Sequence, residues 1–211
     1  ALHTKVRRLI HNEPRLAERL EVHALNEIGR RLYEARFDPP AIATREIIRH
    51  LLAEAAAGRD GLKFSLRFLL AEWEDVVDAW QLDSWEAYRD VRRLGRKTRL
   101  PEQQRIMLWS IFDHVRSVLR TRNLLTWAGL FGRLTVEIAD RKHPPFDFIV
   151  VDEAQDVSIS QLRFLAALGG ERPNGLFFAG DLGQRIFQQP FSWKSVGVDI
   201  RGRSRTLHIN Y

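Results

Sequence analysis

The sequence predicts an α/β chain in which a partial parallel sheet is interrupted by a large all-helical block. Three observations lead there. Phe146, Phe148, Ile149, Val150 and Val151 form a short apolar run, broken only by Asp147, that reads as a strand buried on both faces. Leu176 to Ala179 is a second such run, and residues 158–168 between them keep helical spacing, so strand, helix and strand make one βαβ unit. From Phe37 to about Asp140 the pattern is helical throughout, with no run that reads as a strand.

In chain order, Leu2, Val6, Leu9 and Ile10 share one side of an opening helix that Pro14 ends. Leu20, Val22 and Ala24 alternate with Glu21 and His23, which predicts a short strand. Helical spacing resumes through Ile28, Leu32 and Tyr33. His23 then sits at a strand-to-helix turn, where a neutral imidazole can simply hydrogen-bond its neighbours. Phe37-Asp38-Pro39-Pro40 is a breaker and begins a different unit.

Thr44 suits the N-cap of a helix carrying Ile47, Ile48, Leu51, Leu52 and Ala55, stopped by Gly58. Leu66, Leu69, Leu70, Trp73, Val76, Val77 and Trp80 form one apolar stripe. Ser84 caps a helix with Trp85 and Tyr88. Pro101 and Glu102 open another with Leu108, Ile111, Phe112, Val115 and Leu119. A last helix holds Leu124, Trp127, Leu130, Phe131, Leu134 and Ile138, and tryptophans at such spacing read as core. Arg89, Arg92, Arg93, Arg96, Lys97 and Arg99 form a basic cluster, either a solvated face or a surface for phosphates. Its Gly-Arg-Lys-Thr is no phosphate loop, because no Gly-Lys-Thr/Ser occurs and no strand precedes it. Further on, Ser158 and Gln161 match a capping box, and Gly169-Gly170 stops that helix.

A formal charge of +6 favours a polyanionic partner. The absence of cysteine excludes disulfides and thiolate metal sites. No apolar run approaches membrane-spanning length and no signal-peptide pattern is present, so a cytoplasmic protein without a membrane partner is expected. The chain opens on Ala1 without an initiator Met and closes on Tyr211 inside a third strand-like run, TLHINY. Both ends read as cut from a longer chain.

The chemistry gathers where strands stop. The first strand ends in Asp152 and Glu153, with Asp156 close behind. Adjacent carboxylates are costly to bury without a cation or hydrogen-bond partners, and open α/β sheets bind ligands at the carboxyl ends of their strands. One reading is a Walker B element, with Asp152 for Mg²⁺ and Glu153 for polarising water. The other is an acidic helix start after a strand. The second strand ends in Gly180-Asp181-Leu182-Gly183-Gln184. Neighbouring ends of a parallel sheet lie side by side, so Asp152, Glu153, Asp181 and Gln184 are expected to converge.

These residues resemble the motor core of UvrD-like superfamily 1 DNA helicases. VVDEAQD resembles motif II, FAGDLGQRIF motif III and LHINY the start of motif IV, over residues 146–211. Val22-His23-Ala24-Leu25 is more loosely similar to motif Ib. The helical block falls where that family inserts its subdomain 1B, matching in position and character. The resemblance implies a partial RecA-like P-loop NTPase core, with residues 1–38 and 142–211 in domain 1A and 39–141 as the inserted helical subdomain. It implies ATP and Mg²⁺ as cofactors. The implied partners are single-stranded DNA, with or without a duplex junction, and the remaining helicase domains of the parent chain.

By the same resemblance Asp152 would hold Mg²⁺ and Glu153 would act as general base on water. Asp181 and Gln184 would face the nucleotide, with Gln184 near the γ-phosphate, and Tyr211 would stack on adenine. Phe187 and Trp193, separated by the insertion-like stretch 188–192, would stack unpaired bases. His23 would lie along the single-strand path.

The departures are as informative. The family's Gly-x-x-x-x-Gly-Lys-Thr/Ser loop is absent from all 211 residues, as are motifs V and VI. The motif IV arginine is expected beyond Tyr211. Without backbone N–H groups and a Lys to cradle phosphates, Mg-ATP affinity should collapse. The expectation is therefore a middle section of an ATP-driven translocase, inactive alone. Two other readings remain open: a non-catalytic scaffold carrying an NTPase remnant, and a metal-dependent nuclease built on Asp152, Glu153 and Asp156.

Overall fold

Hydroxyl side chains set where most of the described helices begin. Thr44, Ser65, Ser84, Thr126 and Ser158 each accept the backbone N–H three residues on, satisfying a donor that the first helical turn leaves without a partner. The computed structural model describes residues 18–59, 61–91, 100–141, 143–170, 172–181 and 196–198, together with Val6, Arg15, Arg203 and Arg205. They fall into two units, residues 1–40 and 41–211.

In the first unit, helix α1 (Leu25–Glu34) buries Ile28, Leu32 and Tyr33, and the Tyr33 and Phe37 rings lie 4.7 Å apart. The opening helix over 2–10 lies outside the described residues except for Val6. The strand expected over 20–24 does not form. Its alternation is produced by Glu21 and His23, whose side chains pair locally instead. An extended segment becomes a strand only when a neighbouring backbone takes its hydrogen bonds.

The second unit opens with strand β1 (Ala41–Ile42) and helix α2 (Arg45–Ala56). Helix α3 (Leu66–Glu72) runs into a π-helical turn (Trp73–Asp78), followed by α4 (Trp85–Asp90) and α5 (Glu102–Thr121). Strand β2 (Leu124–Leu125) and α6 (Trp127–Ala139) complete the helical block. Leu108, Ile111, Phe112 and Leu52 are fully buried at its centre. The Phe112 ring lies 5.7 Å edge-on from Tyr88 and 6.1 Å from Trp73. Tyr88 Oη donates to the buried Glu72 carboxylate at 3.0 Å, so this core carries a satisfied polar pair.

Two expectations for the block need correction. It is not free of strands: β1 pairs in parallel with β2, Ala41 beside Leu124 and Ile42 beside Leu125. Ala43 N–H extends the pairing by donating to Leu125 O at 2.8 Å. Leu124 thus leaves the helix assigned to it, because Asn123 turns the chain at φ 51° and Thr126 starts α6 afterwards. Two-residue strands are too short to show a period. The stripe from Leu66 to Trp80 is also not one α-helix. Trp73, Val76 and Val77 remain buried, but the backbone widens to π over them.

Asp78 ends that π turn. Its Oδ1 accepts the Thr126 hydroxyl at 2.7 Å and Gln81 Nε2 at 3.0 Å. Burial pushes its carboxyl up to about 6, against the pull of those two hydrogen bonds. A folded-state pKa above the unfolded value of about 4 favours the protonated native state. That contribution is complete below pH ~4 and is lost as pH rises through about 6; it is at most on the order of 3 kcal/mol. Asp78→Asn keeps an acceptor for both donors and cannot ionise. We expect the wild-type melting temperature to fall between pH 5 and 7.5 and that of Asp78→Asn to stay nearly level.

After α6 come β3 (Ile149–Val151), a 3₁₀ turn (Ala154–Asp156), α7 (Ile159–Gly169) and β4 (Leu176–Phe178). The Ser158–Gln161 capping box is present in both directions. β3 and β4 pair in parallel, Ile149 beside Leu176, Val150 beside Phe177 and Val151 beside Phe178. α7 packs on α6, where Phe131 and Phe164 lie 5.1 Å apart, and on β4. Gly169 permits the second contact, since a Cβ there would come within 2.6 Å of Leu176 Cγ.

β3 is not buried on both faces. Phe148 (74%), Val150 (73%) and Phe177 (62%) are exposed together on one face of the pair. An apolar run reports that a strand can be covered, and covering each face needs its own packing element. The architecture of the described residues is thus mixed α/β, mostly helical, with two small parallel sheets.

Candidate functional site

Strand pairing decides which polar turns meet. Ala179 N–H donates to Val151 O (2.8 Å) and Ala154 N–H donates to Ala179 O (2.9 Å). The ladder therefore continues past the ends of both strands and lays the turn at 152–156 against residues 180–181. Asp152, Glu153 and Asp181 are all exposed there.

Glu153 occupies the left-handed region, φ 52° and ψ 43°. That conformation costs a non-glycine residue about 1–3 kcal/mol and persists only where the surroundings enforce it. Here Asp152 Oδ1 accepts the Glu153 N–H at 3.0 Å, and Asp156 N–H donates to Glu153 O at 2.9 Å. The Glu153 carboxylate accepts a hydrogen bond from Gln155 Nε2, and Gln155 Oε1 accepts the Asp181 N–H at 3.0 Å. Gln155 is buried between these partners. Gly180 closes the arrangement: a Cβ there would lie 2.8 Å from Ala154 N and closer still to Gln155 Oε1, so a side chain has no room.

Of the residues expected to converge, Asp152, Glu153 and Asp181 are described, and the last two share Gln155 as partner. Gln184, Phe187, Trp193 and Tyr211 lie outside the described residues, as does the expected third strand over 206–211. So do Arg92, Arg93, Arg96, Lys97 and Arg99 of the basic cluster; Arg89 pairs with Asp90 at 2.8 Å. His23 is exposed in the first unit, its Nε2 2.9 Å from Glu21 Oε2 and its Nδ1 3.8 Å from Glu27 Oε1. Arg31 donates to the same Glu21 oxygen at 2.5 Å. The Arg31 bond first, and His23 second, hold the Glu21 carboxyl below the usual carboxylate range.

Gln155 and Gly180 are the residues the sequence reading passed over. Gln155 had a visible signal as the one amide on a turn of carboxylates, and Gly180 stands directly between a strand and Asp181.

No three His, Asp or Glu side chains among the described residues form a group that could hold a metal ion. Asp152, Glu153 and Asp156 therefore do not make the three-carboxylate cluster that a two-metal nuclease needs. Mg²⁺ has another mode, in which one or two carboxylates complete a shell of phosphate oxygens and water. The exposed Asp152 carboxylate at a strand end fits that mode. No helix of the described residues is long and apolar enough to cross a membrane. Comparison with curated proteins and with solved structures returned no match. The family model described as UvrD/REP helicase N-terminal domain matches residues 9–194.

Proposed function

Because the chain belongs to the UvrD/REP helicase family through that N-terminal domain, we propose that it is part of an ATP-driven translocase on single-stranded DNA. In this reading it carries the carboxylates of the ATP site that handle magnesium and water. The observation that carries the proposal is the joining of two strand ends, one with Asp152 and Glu153 and one with Asp181, by Gln155, which bonds both Glu153 and the Asp181 N–H.

Asp152 would ligate Mg²⁺, which when bound neutralises charge on the phosphates. Glu153 would orient the attacking water and accept its proton. Asp181 and Gln184 would face the nucleotide and Tyr211 the adenine. Residues 1–38 and 142–211 would form part of a RecA-like core, and 39–141 the helical subdomain inserted in it. His23, Phe187 and Trp193 would contact single-stranded DNA, where stacking tolerates any base. Chain outside these 211 residues would supply the phosphate-cradling loop.

The test is ATP turnover by the 211-residue chain with single-stranded DNA present. We expect background rates, since no Gly-x-x-x-x-Gly-Lys-Thr/Ser occurs in the sequence. Robust hydrolysis would overturn the assignment of that loop to another part of the parent. In the parent, Ala at both Asp152 and Glu153 with no loss of function would favour the scaffold reading.

A further inference from the structure

We infer that Gln155 is a positioning residue whose amide ties the Glu153 carboxylate to the backbone of the turn after β4. The inference rests on reading Glu153 as the base. The orientation of the amide is fixed by its partners. Asp181 N–H can only donate, so the Gln155 oxygen must face it, and the Gln155 nitrogen is left to donate to the carboxylate.

Burial makes this bond pair costly to disturb. Gln155 is 7% exposed, and an amide that loses a partner away from water loses the hydrogen bond and keeps the desolvation cost. Glu153, by contrast, is exposed, and a free glutamate side chain samples many rotamers. Its left-handed backbone directs the side chain, and the Gln155 amide restrains the far end. Gly180 provides the space in which the amide lies. A displacement of residues 180–181 is then felt at the Glu153 carboxylate through one side chain.

Two variants separate the two bonds. Gln155→Leu removes both. Gln155→Glu keeps an acceptor for Asp181 N–H and, when ionised, has no hydrogen to donate to Glu153 and sets a second carboxylate against it. In the 211-residue chain, amide hydrogen exchange read by NMR should show Asp181 exchanging at least about tenfold faster in Gln155→Leu and near the wild-type rate in Gln155→Glu. The Ala154 and Ala179 amides of the strand ladder should hold in both. An unchanged Asp181 rate in Gln155→Leu would overturn the bridge. Loss of protection at all three amides together would reduce Gln155 to a structural role and overturn the inference as well.

In the parent protein both variants should lower kcat for DNA-stimulated ATP hydrolysis about 10- to 100-fold, with KM for ATP within about twofold. If Glu153→Gln abolishes turnover while both Gln155 variants keep wild-type kcat, positioning is wrong and the base stands. If Glu153→Gln leaves turnover intact, the base reading falls and the positioning role with it, and the exchange rates still decide whether the bridge exists.

Discussion

Glu153→Gln in the parent protein is expected to lower ATP turnover about 10²–10⁴-fold while leaving nucleotide binding in place. The substitution is nearly isosteric, and its amide oxygen can still accept from Gln155 Nε2. The turn at 152–156 should therefore keep its shape, with the ladder bonds between Ala154 and Ala179 intact. What disappears is a carboxylate able to take a proton from water. Single-turnover hydrolysis beside equilibrium binding of a nucleotide analogue separates the two effects. Equal losses in both would make Glu153 a binding residue, and unchanged turnover would remove it from the chemistry.

The second large effect is on stability. Phe112→Ala should destabilise the helical block by about 3–5 kcal/mol, because the ring is fully buried and the cavity left behind can only partly collapse. Tyr88 and Trp73 lose their ring contacts at 5.7 and 6.1 Å in the same change. Domains are stable by only about 5–15 kcal/mol, so the loss consumes a large share. The matched control is Ile106→Ala on the same helix, where the side chain is 51% exposed and the change should stay within about 0.5 kcal/mol. Urea midpoints at constant slope measure both. Similar midpoints for the two variants would mean that α5 does not bury its stripe as described.

Local chemistry made most of the helices legible. Thr44, Ser84 and the Ser158–Gln161 box mark helix starts because a hydroxyl at that position replaces a missing backbone partner. The stripe through Leu108, Ile111, Phe112, Val115 and Leu119 marks a buried face for a similar reason, since 3.6 residues complete a turn. The parallel pairing of β3 with β4 was legible from two apolar runs separated by one helix.

What escaped depends on partners that a sequence does not name. The 20–24 stretch alternates correctly and still pairs with no strand among the described residues. The pair β1–β2 forms from two residues on each side, far apart in the chain, with no period to read. Val150 and Phe177 look like core by composition, yet their face of the sheet is open. Gln155 was hidden by its neighbours: among Asp152, Glu153 and Asp156, the residue that joins the strand ends is the uncharged one.

The small sheet of β1 and β2 has a mechanical consequence. The backbone enters the run of helices α2 to α5 beside Ala41 and returns beside Leu124, a single strand spacing of about 4.8 Å apart. A pull applied before β1 and after β2 acts on the start of one parallel strand and the end of its neighbour. The hydrogen bonds between them are then loaded in shear, all at once, rather than peeled one by one. Tension along the chain passes through this clasp and bypasses α2 to α5, the helices between the two strands, until the clasp parts.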